Sequence, residues 1–87
     1  MYCLIVYDVE VKRVTKVYKF LKQYLNWIQN SVFEGELTDA DFLKVKKDLK
    51  KLIDKNTDSI LIFILRDKYS FKKEILGTEK SPVDNII

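Results

Sequence analysis

Two continuous apolar runs constrain the fold of this 87-residue chain more than any other feature. The first covers Tyr2 to Tyr7 and ends at Asp8, and the second covers Ser59 to Leu65 and ends at Arg66. After its serine, the second run has no polar alternation, and the first has none at all. Because a strand with one face in water alternates polar and apolar residues, both runs are predicted to be strands buried on both faces. The second is expected to be a central strand.

Two other segments have apolar residues at helical spacing. The first helix is predicted from about Val11 to Leu25, and the second from the plausible N-cap Thr38 to about Lys55. Both helices carry lysines on the opposite, exposed face. The apolar stripes consist of Val14, Val17, Leu21 and Leu25 in the first helix and Phe42, Val45, Leu49 and Leu52 in the second.

Three further strands complete the predicted order of elements. One runs from Trp27 to Glu36, a weaker one from Phe71 to Leu76, and a last short one from Val83 to Ile87. This order is typical of an α+β fold, namely a ferredoxin-like βαββαβ arrangement with a short additional C-terminal strand. At this length, residues 1–87 are expected to form one domain.

The two helices can cover only one face of the predicted sheet. In the second apolar run, Leu61 and Phe63 point to one face while Ile60 and Ile62 point to the other, so the uncovered face would expose a large apolar patch. A symmetric homodimer packed through the sheet is the simplest way to bury it.

The composition excludes several classes of function. The chain has no histidine and one cysteine, Cys3, so histidine-based triads and ordinary zinc sites are excluded. Glycine-rich nucleotide loops and EF-hand loops are also missing. Any catalysis must therefore use carboxylates, lysines, tyrosines or a hard metal ion. With no signal-peptide pattern and no run long enough to span a bilayer, we expect a cytoplasmic protein with no membrane partner.

The charge balance is compatible with a polyanionic partner. The chain carries 16 basic and 13 acidic residues, for a net charge of +3, and only Arg13 and Arg66 of the basic residues are arginines. Because arginine provides most bidentate contacts to bases, this composition argues against base-specific recognition of nucleic acid. The lysines on the helices fit phosphate binding and ordinary solvated faces equally well.

Asp8 is the first candidate functional residue, because a carboxylate at the end of a buried strand, before a helix, is a common place for chemistry. A role as a turn residue or helix N-cap is the structural alternative. Glu10 could add a second carboxylate or pair with Lys12 and Arg13 on the helix surface. The polar residues Gln29 to Ser31 could contact a ligand or satisfy the backbone at a dimer seam.

These features together resemble the CRISPR-associated protein two family. The matching residues are Val6-Tyr7-Asp8 at the end of the first strand, Ile28-Gln29-Asn30-Ser31-Val32-Phe33-Glu34-Gly35, the apolar strand closing at Arg66, and Ile75-Leu76-Gly77. The resemblance covers essentially the whole chain. It implies a ferredoxin-like homodimer that serves in CRISPR spacer acquisition, bridges dimers of the CRISPR integrase, and acts as a magnesium-dependent endonuclease on RNA or DNA.

The resemblance also implies roles for particular residues. Asp8 would be the catalytic, metal-binding aspartate, lying close to its twin across the two-fold axis and binding Mg²⁺ or Mn²⁺. The strand from Val83 to Ile87 would pair with the sheet of the partner chain. Phosphates would be held by Lys12, Arg13, Lys16 and Lys19. Substrate positioning or the dimer seam would involve Tyr7, Ser31 and Phe33.

Three hypotheses about function remain open at this stage. The first is a metal-dependent phosphodiesterase acting through Asp8, for which one aspartate per chain makes a thin metal site, and slow or vestigial cleavage is one outcome. The second is a non-catalytic scaffold that binds nucleic acid backbone and holds the integrase, with Asp8 as a cap. The third is an interaction domain or toxin-like ribonuclease of the same fold outside CRISPR.

Overall fold

The computed structural model describes residues 1–81 as one antiparallel sheet with two helices on one of its faces. The predicted strand from Val83 to Ile87 lies outside the described residues. In chain order, the elements are β1 (Tyr2–Asp8), α1 (Val11–Lys22), β2 (Asn26–Gln29), β3 (Val32–Glu36), α2 (Asp39–Leu52), β4 (Ser59–Leu65) and a short 3₁₀ helix (Lys68–Ser70).

The order of strands across the sheet is β2-β3-β1-β4, and every neighbouring pair is antiparallel. The predicted α+β class and βαββαβ order are confirmed. In the middle of the sheet, Ile5 of β1 lies opposite Phe33 of β3 on one side and Ile62 of β4 on the other. The prediction that the run from Ser59 to Leu65 is a central strand is wrong for the described sheet, since β4 lies at its edge within residues 1–81. The prediction that both faces of this strand are buried is also wrong for the described chain, because Leu61, Phe63 and Ile64 are each at least half exposed.

The predicted single strand from Trp27 to Glu36 is also wrong, because the chain turns back on itself within it. Asn30 has a positive φ of 44° between β2 and β3. Asparagine is one of the few residues that adopt this left-handed conformation readily, and it is common in tight turns. The indole Nε1 of Trp27 donates to the Asn30 carbonyl at 3.0 Å. Side-chain alternation along one strand therefore stops at the turn.

Both helices are close to their predicted positions, and both end earlier than predicted. The predicted cap is confirmed, because Thr38 Oγ1 accepts a hydrogen bond of 3.1 Å from the amide of Asp41. Leu25 follows the end of α1 and is nevertheless buried. The helices and the sheet enclose the core, and full burial of each large side chain contributes about 1.5–3 kcal/mol. Core residues include Cys3, Ile5, Val17, Leu21, Phe33, Val45 and Leu49.

The segment from Phe71 to Leu76 is not the strand that the sequence predicts. It has no regular secondary structure, and it lies against the sheet face that the helices leave uncovered. The ring of Phe71 lies 6.0 Å from that of Tyr2, and Lys73 Nζ lies 3.4 Å from Glu34 Oε2. The side chains of this segment hold it there, without strand pairing to the described sheet. Within residues 1–81, no helix is long and apolar enough to cross a membrane.

Candidate active site at the end of strand β1

Asp8 is the last residue of β1, and its side chain is exposed. Successive side chains of a strand point to opposite faces. Because Ile5 and Tyr7 are buried beneath the helices, Val6 and Asp8 lie on the other face, which we call the open face. The predicted functional carboxylate therefore projects from the end of the central strand, on the face that the helices do not cover.

The structure excludes the interpretation of Asp8 as a helix cap. The N-cap residue of α1 is Glu10, and it makes no side-chain capping bond. Within residues 1–81, no hydrogen bond or ion pair is formed by the Asp8 carboxylate. Both oxygens of Asp8 are therefore available to a ligand from outside the described chain.

An apolar patch adjoins Asp8 on the open face, and it is made by Leu4, Val6, Leu61 and Phe63. Val6 lies opposite Leu61, and Leu4 lies opposite Phe63, so the four side chains form two adjacent rows. Leu61 is 54% exposed and Phe63 is 50% exposed. The sequence prediction of an uncovered apolar area is thus confirmed, and the area borders the candidate carboxylate.

A buried carboxylate, Asp58, lies next to the same end of β1. It accepts from Arg13 Nε at 2.6 Å and Nη2 at 3.0 Å, from the amides of Glu10 at 3.0 Å and Asp54 at 2.9 Å, and from Thr57 Oγ1 at 3.2 Å. The Asp58 side chain is fully buried. Hydrogen bonding by the guanidinium lowers the pKa of Asp58 well below its usual range, and the desolvation that opposes this is outweighed. We call Glu10, Arg13, Thr57 and Asp58 the Asp58 clamp.

Arg13 is therefore largely occupied within the chain, although the sequence placed it among the phosphate-binding residues. Its side chain is only 15% exposed, and Nη2 also contacts Glu10 Oε1 at 2.5 Å, which confirms the predicted pairing on the helix surface. The other three predicted phosphate contacts, Lys12, Lys16 and Lys19, are exposed on α1. Sequence reasoning missed Asp58, because the residue that it binds is 45 positions away and no local spacing indicates the pair.

Tyr7, Ser31 and Phe33 are brought together by the structure, beneath the end of β1. The amide of Tyr7 donates to the Ser31 carbonyl at 3.0 Å, and the rings of Tyr7 and Phe33 stack with centroids 6.2 Å apart. Burial raises the pKa of Tyr7, and a side-chain hydrogen bond with Ser31 opposes that shift. Tyr7 and Phe33 belong to the core, away from any surface that a substrate or second chain could touch. Their contribution is to hold the strand that carries Asp8.

The residues present fit a divalent ion only in part. No group of three or more potential metal ligands occurs within residues 1–81. However, carboxylate oxygens are the ligands that Mg²⁺ prefers, and Mg²⁺ is commonly held by one or two carboxylates together with water and substrate phosphates. Asp8 is therefore one suitable ligand, and the remaining ligands of such an ion would come from water, a substrate phosphate or a carboxylate outside residues 1–81 of this chain.

Comparison with known proteins gives a consistent result. The family model described as CRISPR associated protein Cas2 matches residues 1–73. A protein of Pyrococcus furiosus named CRISPR-associated endoribonuclease Cas2 is 55% identical over 87 residues, with complete coverage of both chains. A Methanosarcina acetivorans protein of the same name is also 55% identical, again with complete coverage of both chains.

Solved structures agree with the sequence relatives. A crystal structure titled as that of cas2 superposes with a TM-score of 0.87 at 48% identity, covering 100% of this chain and 98% of the other. The crystal structure of Streptococcus pyogenes Cas2 at pH 6.5 gives a TM-score of 0.80 at 37% identity, covering 88% of this chain and 100% of the other.

Proposed function

The chain belongs to the CRISPR-associated protein Cas2 family, and we propose that it is a metal-dependent endonuclease of CRISPR spacer acquisition, with Asp8 as its catalytic, metal-binding residue. The relatives that are 55% identical over the whole chain carry the name endoribonuclease, which supports a nuclease acting on RNA. Membership of a CRISPR family argues against the hypothesis of an interaction domain or toxin-like ribonuclease outside CRISPR.

One observation carries the proposal of catalysis, namely that the Asp8 carboxylate has no partner within residues 1–81 and lies beside an exposed apolar patch. No hydrogen bond or ion pair within residues 1–81 explains the placement of this charge at the strand end. Such exposed polar residues on a rigid scaffold are typical of binding and catalysis. Asp8 is held in this position by β1, which pairs with strands on both sides.

A homodimer supplies the second ligand in this proposal. Burial of the apolar patch against the same patch of a second copy brings the two ends of β1 towards each other, because a two-fold axis relates identical surfaces. Each Asp8 then lies near its twin. The outer edge of β4 is unpaired within the described sheet, and it offers a place for the Val83–Ile87 segment of the partner.

The two Asp8 carboxylates would hold one Mg²⁺ or Mn²⁺ ion. When bound, such an ion lowers the pKa of a coordinated water and neutralises charge on a phosphodiester. The residues of the chain bind and orient the substrate. Lys12, Lys16 and Lys19 provide positive charge for backbone phosphates without selecting a base, whereas the charge of Arg13 is paired with Asp58 and Glu10.

The partners in this proposal are nucleic acid and the CRISPR integrase, whose dimers the homodimer bridges. A scaffold role without catalysis is the second candidate. It is favoured by the single well-placed carboxylate within residues 1–81 of each chain, since phosphodiesterases with two metal ions require more ligands than this. Catalysis requires the charge of Asp8, whereas a scaffold does not.

Asp8→Asn tests the proposal directly. The substitution keeps the size of the side chain and removes its charge, so we expect at least a 100-fold loss of magnesium-dependent cleavage of labelled RNA and DNA oligonucleotides. Asp39→Asn is the matched control. Asp39 is also exposed, and it starts α2 beside Met1, roughly 20 Å from Asp8 at the other end of β1.

Spacer integration with the partner integrase is measured on the same two variants. Lost cleavage with normal integration would assign the physiological role to scaffolding. Cleavage that survives in Asp8→Asn and depends equally on magnesium would remove Asp8 from the mechanism.

A further inference from the structure

The Asp58 clamp lies directly beside the proposed catalytic residue, although none of its members faces the open surface patch. Asp8 and Ser59 form the last aligned pair between β1 and β4. Asp58 immediately precedes Ser59, and the amide of Glu10, two residues after Asp8, donates to Asp58 Oδ1 at 3.0 Å. The chain is therefore attached to the start of β4 at two points, at Asp8 itself and at Glu10, two residues later.

These two attachments close a small ring. From Asp8, the chain runs through Val9 to the amide of Glu10, crosses by a hydrogen bond to Asp58, and returns through Ser59 to Asp8 by strand pairing. A ring of this size leaves the backbone of Asp8 little freedom to rotate or to move away from the sheet. The other links of this ring are backbone, so the ring is closed by the carboxylate of Asp58.

Asp58 is itself fixed by Arg13. Two nitrogens of the guanidinium donate to the two oxygens of the carboxylate, at 2.6 and 3.0 Å. This fork-to-fork geometry sets orientation as well as distance, and lysine cannot reproduce it. Thr57 Oγ1 links the two carboxylates of the clamp, at 3.2 Å from Asp58 Oδ1 and 3.3 Å from Glu10 Oε1. Rotation of the Asp58 side chain would break several of these bonds together.

We propose that Asp58 and Arg13 are positioning residues for Asp8, and that they hold the metal-binding carboxylate in the geometry that a sparse site requires. The inference rests on the proposed function of Asp8. A site with one protein ligand from each chain has no further carboxylate to correct a misplaced one, so it depends strongly on the position of each. Arg13 thus serves the reaction through Asp58, without direct contact with phosphate.

Hydrogen exchange tests the clamp without reference to activity. In Asp58→Asn, a carboxylate that accepts from Glu10 is replaced by a weaker neutral acceptor, so we expect the amide of Glu10 to exchange at least tenfold faster while the amides in the middle of β1 are unchanged. Asp48→Asn is the matched control, since Asp48 forms an ordinary surface ion pair with Lys44 at 3.4 Å. Equal protection of Glu10 in wild type and Asp58→Asn would overturn the ring.

Metal affinity tests the consequence for Asp8. In the purified dimer, titration with Mn²⁺ followed by electron paramagnetic resonance should show affinity weakened by about 10–100-fold in Asp58→Asn, as is typical when a residue that orients a metal ligand is replaced. The magnesium concentration for half-maximal cleavage should rise by a similar factor, with KM for the oligonucleotide within twofold. Arg13→Lys retains the charge and loses the fork, so it should behave like Asp58→Asn. If Asp58→Asn does not fold, Arg13→Lys carries the test.

The possible outcomes separate this inference from the proposed function. Unchanged Mn²⁺ affinity in folded Asp58→Asn and Arg13→Lys, with Asp8→Asn inactive, overturns the positioning role alone. A raised KM in Arg13→Lys with unchanged metal affinity assigns Arg13 to phosphate binding and also overturns it. Metal-dependent cleavage that persists in Asp8→Asn overturns the proposed function, whatever the hydrogen exchange shows.

Discussion

The two faces of the sheet are built from the same strands and similar residues, but they differ in how far the rest of the chain buries them. On the covered face, Ile5 and Phe33 are completely buried beneath the helices. On the open face, Leu61 and Phe63 of β4 remain half-exposed. The apolar residues of the sheet thus divide between two tasks, since one set drives folding of the chain and the other is available for the proposed association with a second copy.

The open face is itself divided. At the Tyr2 end, the segment from Phe71 to Leu76 covers it, so that Tyr2 and Glu34 are 8% and 6% exposed. At the Asp8 end, no described segment covers the apolar patch. The half of the face that stays open is therefore the half that carries the candidate catalytic residue, and a second copy that buries the patch would also approach Asp8.

Replacement of one phenylalanine on each face tests the difference most strongly. Phe33→Ala removes a fully buried ring and should lower the free energy of unfolding by about 3–5 kcal/mol. Phe63→Ala removes a ring that is half in water, so the loss for the single chain should be about 1 kcal/mol or less. Urea unfolding at a protein concentration below that of dimer formation measures both. Similar losses for the two variants would contradict the proposed division of tasks.

Association should respond to the open face alone. In Phe63→Glu, a charge replaces the ring and lies near the same charge in the partner, so the dimer dissociation constant should rise by at least about 30-fold, which corresponds to about 2 kcal/mol. Sedimentation equilibrium measures the constant, and circular dichroism checks the fold. A variant that dimerises normally would show that the two chains meet elsewhere.

Much of this arrangement could be predicted from the sequence, because it depends on local patterns. Helical spacing identified both helices, the alternation of side chains identified an uncovered apolar face, and Thr38 identified the start of α2. The placement of Asp8 at the end of a strand followed from the sharp change from Tyr7 to a charged residue.

The features that the sequence did not predict depend on contacts between distant residues or on a weak turn signal. Apolar composition predicts that both faces of β4 are covered, but Leu61, Phe63 and Ile64 of the single chain are at least half exposed, and composition does not show what would cover them. The turn at Asn30 lacks the glycine that usually accompanies asparagine in a two-residue hairpin. The partnership of Arg13 with Asp58 joins segments 45 residues apart, and it emerges only when β1 and β4 are paired.

Substitutions at the Tyr2 end of the open face, beneath the segment from Phe71 to Leu76, should lower the free energy of unfolding less than core substitutions and more than ordinary surface substitutions. Tyr2 donates a hydrogen bond of 2.7 Å to Glu34 Oε2, and Glu34 Oε1 is buried without a partner within residues 1–81. Tyr2→Phe keeps the ring and leaves Glu34 with less compensation for its burial, so the free energy of unfolding should fall by about 1–2 kcal/mol. Thermal unfolding measures the change. Tyr24→Phe, which alters a half-buried tyrosine beside α1, is the control and should change little.

The smallest effect is expected at Leu43, which tests whether exposure of an apolar residue is enough to make an interface. Leu43 is 63% exposed on α2, more than Phe63, but its neighbours one turn away include Asp39, Lys46 and Lys47. Isolated apolar side chains of this kind are normal on protein surfaces. Leu43→Ser should therefore change the free energy of unfolding by no more than about 0.5 kcal/mol and leave the dimer dissociation constant within twofold. A weakened dimer in this variant would show that the two chains meet through the helices. The argument that the dimer places two Asp8 residues together would then fail.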